Sequence, residues 1–333
     1  VNTSTGDPPR PEIPLGRGPM KDGIQRWAMA GKRIPFVQTV RNGLQMYVKH
    51  HHHTGHEIDV NVKRSEKLAG LLRRFTGKSV RGAHVLEVGC GQRAALSLLL
   101  AASGAEVCAV DVEAPTYRMN TATLLRLLRT CGMHRAVKSA IRHMLFDRRF
   151  FNGLARATGM TLRPFPRIDI RVCDIARADL PAHYFDLVFS YEVLGHVVDV
   201  ESAVRNINAA LAPDGVGYVV VHLFPSLTGA DCLEWVFALD PAYGAHIPAR
   251  VPPWDHLREN RYPGDSYLNR LRLKDYQGIF YRHTTVIAED HQKEGNDLLS
   301  LAPRELLAEY TEEDLTTAYV AFTIRRRSPD RLS

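Results

Sequence analysis

The sequence predicts an α/β fold in which a mostly parallel sheet carries helices on both faces. Three observations lead there. First, residues 85–111 read as strand, glycine turn, helix, strand and acid. An apolar run (Val85, Leu86, Val88) stops at Gly89-Cys90-Gly91, a helical stretch spans Ala94 to Ala102, and a second run (Val107 to Val110) stops at Asp111. Second, further short apolar runs follow at 171–175, 185–191 and 216–221, alternating with helical patterns. Alternation of this kind marks βαβ units and a parallel sheet. Third, 333 residues with 45% apolar and 24% charged content suffice for a substantial buried core.

The first unit also predicts a ligand. Glycine lets a backbone pass close to a bound group without a Cβ clash. An acid at the end of the second strand can accept hydrogen bonds from a ribose diol. Gly89 to Ala94, with Asp111 about twenty residues on, satisfies the dinucleotide pattern G-x-G-x-x-G/A, so an NAD-dependent Rossmann enzyme is one reading. Glu87 favours another. A carboxylate two residues before the first glycine would repel a pyrophosphate and would suit a ligand bearing a positive amine.

At Glu87-Val88-Gly89-Cys90-Gly91 the chain resembles the class I S-adenosylmethionine-dependent methyltransferases, whose first motif is E/D-x-G-x-G. The resemblance continues through Arg171-Val172-Cys173-Asp174-Ile175, through Phe185 to Val197, and through Ala209 to Val221. It departs at Arg93, where a third glycine is usual, and at Gly195, where many members carry glutamate. The resemblance implies a Rossmann-like class I fold with a seven-stranded, mostly parallel sheet and S-adenosyl-L-methionine as cofactor. Matched residue by residue, Glu87 would meet the methionine end, and Gly89, Cys90 and Gly91 would form the turn beneath it. Asp111 would hold the ribose hydroxyls, with Val112 against adenine. Asp174 would accept from the adenine amine, Ile175 would cover the ring, and Ser190 and Tyr191 would flank the methionine.

Domain organisation follows from composition. Residues 1–19 are rich in Pro and Gly and read as a disordered tail. Residues 20–80 read as a helical cover with breaks at Pro35 and Gly43; Lys63 to Phe75 is its clearest helix. Residues 81–327 read as the methyltransferase domain, with a helical insertion at 115–167 and an aromatic lid segment at 225–263. Ser266 to Phe280 reads as a helix, Thr284 to Ala288 and Thr317 to Ile324 as a terminal strand pair, and Arg325 to Arg327 as a solvated end. The net charge of +7 is uneven: residues 118–171 hold twelve Arg or Lys against Asp147 and Asp169. Such a concentration attracts anions. It reads as a solvated helix face, a site for an anionic acceptor, a nucleic-acid surface or a peripheral membrane contact.

Candidate proton acceptors are His196, after the fourth strand, and His222, at the end of the fifth. Histidine titrates in the range a general base needs. His50 to His53 and His56 form a tract that reads as a solvated turn next to Thr54-Gly55, and no ligand spacing completes a metal site. Five scattered cysteines without a CxxC pair fit a reducing cytoplasm. No apolar run reaches the roughly 18 residues needed to cross a bilayer. The expected activity is methyl transfer to oxygen of a small-molecule or glycan- or lipid-linked acceptor. A nucleic-acid methyltransferase and a non-catalytic cofactor-binding scaffold are the alternatives. Nothing in the sequence sets an oligomeric state.

Overall fold

A computed structural model describes residues 36–119, 121–230, 251–257 and 267–328, with 235, 238, 239 and 248. The expected tail at 1–19, the start of the cover and much of the segment at 225–263 lie outside the described residues. Seven strands form one sheet: β1 (His84–Val88), β2 (Glu106–Asp111), β3 (Asp169–Val172), β4 (Phe185–Tyr191), β5 (Leu211–His222), β6 (Thr285–Lys293) and β7 (Thr317–Arg325). Their order is β3-β2-β1-β4-β5-β7-β6. The first five pair in parallel, and β7 runs antiparallel to both β5 and β6. This is the Rossmann-like α/β methyltransferase fold.

The inner strands are near-continuous apolar runs because both of their faces are covered. On one face Leu86, Val88, Val188 and Val219 join a core with helices α5 (Val200–Ala210) and α6 (Leu273–His283), through Val204, Ile207, Tyr276 and Phe280. On the other, Val85, Leu187 and Phe189 meet Leu68 and Leu72 of helix α1 (Phe36–Thr76) and Leu96 and Leu100 of α2 (Ala95–Ala102). The insertion folds as α3 (Thr121–Arg142), a π turn (His143–Asp147) and α4 (Arg148–Thr158). Phe150, Phe151 and Leu154 are buried with Ile58 of α1 and Leu98 and Leu99 of α2, so the insertion is anchored to the cover. Two short helices, α7 (Arg304–Glu309) and α8 (Glu312–Thr316), lead into β7.

Several local expectations change. Gly43 does not break α1, which runs 41 residues without interruption. The histidine tract lies inside this helix rather than in a turn. A glycine in a helix costs only about 1 kcal/mol, and the buried contacts of Ile58, Leu68 and Leu72 outweigh it. The helix expected from Ser266 begins at Leu273 instead. Its start is set by Asp275, whose carboxylate accepts the Arg272 N–H at 2.8 Å. The preceding residues are drawn against the loop after β4, where the Asn269 side chain donates to Leu194 O (2.7 Å) and Val197 O (3.1 Å). Arg325 and Arg327 are half-exposed, as expected of a solvated end, and are also tethered: their guanidinium groups donate to Phe75 O and to Tyr281 O.

Candidate active site

The strand order switches between the parallel neighbours β1 and β4: the chain adds β2 and β3 on one side of β1, then returns to add β4 and β5 on the other. Open α/β sheets bind ligands at the carboxyl ends of the strands at such a point. Here β1 ends in the turn Gly89-Cys90-Gly91. Gly89 has φ 79°, and a Cβ on it would stand 2.0 Å from Val193 Cγ2, so only glycine fits. Gly91 has φ 62° with open space where a Cβ would be. Cys90 is buried, which pushes its thiol up and keeps it protonated. The Gly91 N–H donates to Asp111 Oδ2 at 2.7 Å, and the Glu113 N–H donates to Oδ1 at 2.8 Å. Asp111 thus ties the turn to the end of β2, and each oxygen keeps a further lone pair that can accept from a diol. Val112, beside it, is 57% exposed.

Glu87 is buried at the floor of the same turn. One carboxylate oxygen accepts the Ser97 hydroxyl and the Ser97 N–H, the latter at 3.0 Å. Ser97 is the third residue of α2, so Glu87 serves the open N–H that Ala94, the capping residue, cannot serve. Burial pushes the Glu87 carboxyl up to about 7. A buried carboxyl of this kind is a partner that a ligand ammonium would satisfy. Tyr191 stands nearby, its ring under the Arg64 guanidinium (4.3 Å) and edge-on to Tyr218 (5.8 Å). The Tyr191 hydroxyl is buried and has no hydrogen-bond partner among the described residues. An open glycine turn, a buried carboxyl, an orphaned hydroxyl and a diol acceptor together fit the methionine and ribose parts of S-adenosylmethionine.

Three of the expected contact residues do structural work. Ser190 is fully buried and donates to Val88 O at 2.9 Å, clamping β4 to β1. Asp174 caps a short turn at the end of β3, accepting the Ala176 N–H at 2.9 Å. Ile175 is buried in the core beneath α5.

His196 and His222 are brought together. They line one enclosed cavity of about 210 Å³ with Glu192, Gly195, Gly229 and Leu268. His196 Nδ1 lies 2.9 Å from Tyr267 O, and His222 Nε2 lies 3.0 Å from Thr228 Oγ1. A Cβ on Gly195 would stand at ordinary contact distance, 3.4 Å from His222 O and 4.0 Å from Leu268 Cδ2, and a longer side chain there would extend along the cavity wall. With glycine at this position, residue 195 adds no side chain to the cavity. A second, shallower depression of about 460 Å³ lies on the insertion, rimmed by Arg118, Arg163 and His143 over Tyr117 and Phe165.

The roles of two cations escaped the sequence reading. Arg93, at the place of the missing third glycine, pairs with Glu57 of α1 and with the fully buried Asp147 (2.7 Å). Its guanidinium also lies 4.5 Å from the Phe150 ring centre. The glycine turn, the cover and the insertion are therefore joined at one side chain. Arg64 of α1 pairs with Glu192, a residue at φ 63°. The sequence signal for Arg93 was a charge where a glycine is usual; its partners lie 36 and 54 residues away, and the partner of Arg64 lies 128 away. Among the described residues, no group of three or more His, Cys, Asp or Glu could hold a metal ion. No described helix is long and apolar enough to cross a membrane.

Fold and site define a class I methyltransferase domain. The chain belongs to that family: the family model described as "Methyltransferase domain" matches residues 60–286. No curated relative matches the chain. Solved structures with the same architecture include an S-adenosylmethionine-dependent methyltransferase from Mesorhizobium loti, 18% identical with TM-score 0.41, matched over 77% of this chain and 95% of the other. Phosphoethanolamine N-methyltransferase 2 from Haemonchus contortus is 16% identical with TM-score 0.41, over 79% and 53%. The 1,6-didemethyltoxoflavin-N1-methyltransferase of Burkholderia thailandensis is 15% identical with TM-score 0.39, over 90% and 93%. The chain is an S-adenosylmethionine-dependent methyltransferase.

Proposed function

We propose that this enzyme methylates an oxygen of a small molecule seated in the cavity between His196 and His222. The observation that carries this reading is the convergence of two imidazoles and the Glu192 carboxylate in one enclosed space, beside the loop that follows β4. S-adenosylmethionine supplies an electrophilic methyl on a sulfonium. In this reading Glu87 and Tyr191 receive its methionine end, the turn Gly89-Cys90-Gly91 lies beneath it, and Asp111 accepts from the ribose with Val112 against adenine. Asp174, Ile175 and Ser190 hold that surface in shape. The protein's remaining task is to place the acceptor in line and to remove its proton.

The depression rimmed by Arg118, Arg163 and His143 supports an acceptor that also carries an anionic group. A polynucleotide is less well supported. Phe150 and Phe151, which interleave with the basic residues, are buried in the core and offer no stacking face.

The test is transfer of labelled methyl from S-adenosylmethionine to panels of alcohols, phenols, phosphorylated alcohols, amines and single-stranded RNA. Product confined to hydroxyl compounds supports the proposal. Amine or RNA methylation, or cofactor binding without any transfer, overturns it. Gly195→Glu is the control: it should abolish transfer and leave S-adenosylmethionine affinity unchanged, because it fills the acceptor cavity alone.

A further inference from the structure

The cavity holds two imidazoles, and the surroundings of one give it a defined protonation pattern. His222 Nε2 lies 3.0 Å from Thr228 Oγ1. Thr228 in turn faces a carboxylate: Oγ1 is 2.9 and 3.0 Å from the two oxygens of Glu294, and the Thr228 N–H donates to the first of them at 2.7 Å. Glu294 follows β6 and is itself anchored, its N–H donating to Thr316 O at 2.8 Å. The His222 ring is stacked on Tyr319, with centroids 4.5 Å apart.

Hydrogen count fixes the direction of this chain. An ionised carboxylate only accepts, and a hydroxyl has one proton to give. That proton goes to Glu294, so Oγ1 meets His222 as an acceptor. Nε2 must then carry the ring hydrogen, and Nδ1 carries the lone pair. His196 differs, because its Nδ1 faces the Tyr267 carbonyl, a neutral group. At His222 the ring faces a carboxylate relayed through one hydroxyl. The carboxylate orients the hydroxyl and, through it, the ring and its tautomer, as the aspartate of a serine-protease triad orients its histidine.

We propose that Glu294, acting through Thr228, is a positioning residue that holds His222 in its Nε2–H tautomer, and that Nδ1 of His222 takes the proton of the acceptor hydroxyl. The balance is complete. The O–H bond breaks as the oxygen bonds to the methyl carbon, the proton moves to Nδ1, and the electron pair of the broken carbon–sulfur bond stays on sulfur. The proposal rests on the reading of this cavity as the acceptor site.

Its test needs no acceptor. Full-length protein labelled with 15N in its histidine rings is studied by long-range 1H–15N spectroscopy near pH 9, where an ordinary histidine (pKa about 6.5) is neutral. The His222 signals are those lost in His222→Gln. The wild type and Thr228→Ser, which keeps the hydroxyl, should show the Nε2–H pattern. Thr228→Val removes the acceptor, and Glu294→Met frees the hydroxyl to donate to Nε2. Both should move His222 toward Nδ1–H, with S-adenosylmethionine affinity unchanged as evidence of folding. An Nδ1–H wild type, or an unaltered pattern in both variants, overturns the proposal. Full transfer by His222→Gln to a hydroxyl acceptor overturns its proton-transfer half. A protein that methylates no hydroxyl defeats the acceptor reading instead, whatever the tautomer.

Discussion

At the scale of the residue, the carboxylates Glu87 and Asp111 carry two duties each. Asp111 fastens the glycine turn and offers lone pairs to a ribose. Asp111→Ala should weaken S-adenosylmethionine binding by more than tenfold, since a charged hydrogen-bond acceptor contributes about 1.5–3 kcal/mol. Calorimetric titration checks this, and an unchanged affinity would refute the placement of the ribose. Glu87 caps α2 from inside the core, where burial lifts its pKa from 4.5 to about 7. The folded state therefore favours the neutral acid. That contribution is full below about pH 4.5 and disappears as pH rises through about 7, a difference of about 3 kcal/mol. Glu87→Gln keeps an acceptor for Ser97 and carries no charge. Without cofactor, the variant should match the wild type at pH 4 and exceed it in melting temperature at pH 8. A gap that does not vary with pH would contradict the burial argument. Both acids were legible in the sequence, because they stand at fixed offsets from the glycines. The capping duty of Glu87 was not, since it depends on which way α2 enters the turn.

At the scale of the element, the cover and insertion are attached through charges rather than through apolar contact alone. Arg93 reaches Glu57 on α1 and Asp147 before α4. Asp147 is fully buried, and removing Arg93 takes away the cation that hydrogen-bonds it, leaving His143 at 3.6 Å as a weaker charge partner. Arg93→Met should destabilise the protein by about 3–5 kcal/mol in urea titration, and Asp147→Asn on top of it should recover a measurable part. Additive losses would show that the pair is not coupled. The helical character of both segments was legible from periodicity. The continuity of α1 through Gly43 and Gly55 was not, because local propensity loses to the contacts of Ile58, Leu68 and Leu72. The late start of α6 has a similar origin: Asn269 draws its own segment onto the loop after β4, and helix formation waits for Arg272 and Asp275.

At the scale of the whole molecule, the last strand in the sequence is not last in the sheet. β7 lies between β5 and β6, with Val320, Phe322 and Ile324 fully buried. The family match ends at residue 286, before β7 begins. A chain cut at residue 286 would expose the edge of β5 and the apolar face that Phe322 covers. It should show no cooperative thermal transition, whereas the chain through residue 328 should show one. A cooperative melt of the shorter chain would mean that five strands suffice. The parallel βαβ core and the positions of both acids at strand ends were determined by the sequence alone, because motif spacing and apolar runs are local properties of the chain; the seven-strand sheet and the cofactor followed from the family resemblance that those motifs carry. Tertiary structure alone decided that Gly195 lines a cavity with both imidazoles, that Arg93 joins three segments, and that Glu294 faces Thr228 and His222. Glu294 and His222 are 72 residues apart in the chain. Their meeting depends on β7 entering the sheet between the strands that carry them, and no local pattern encodes such an insertion.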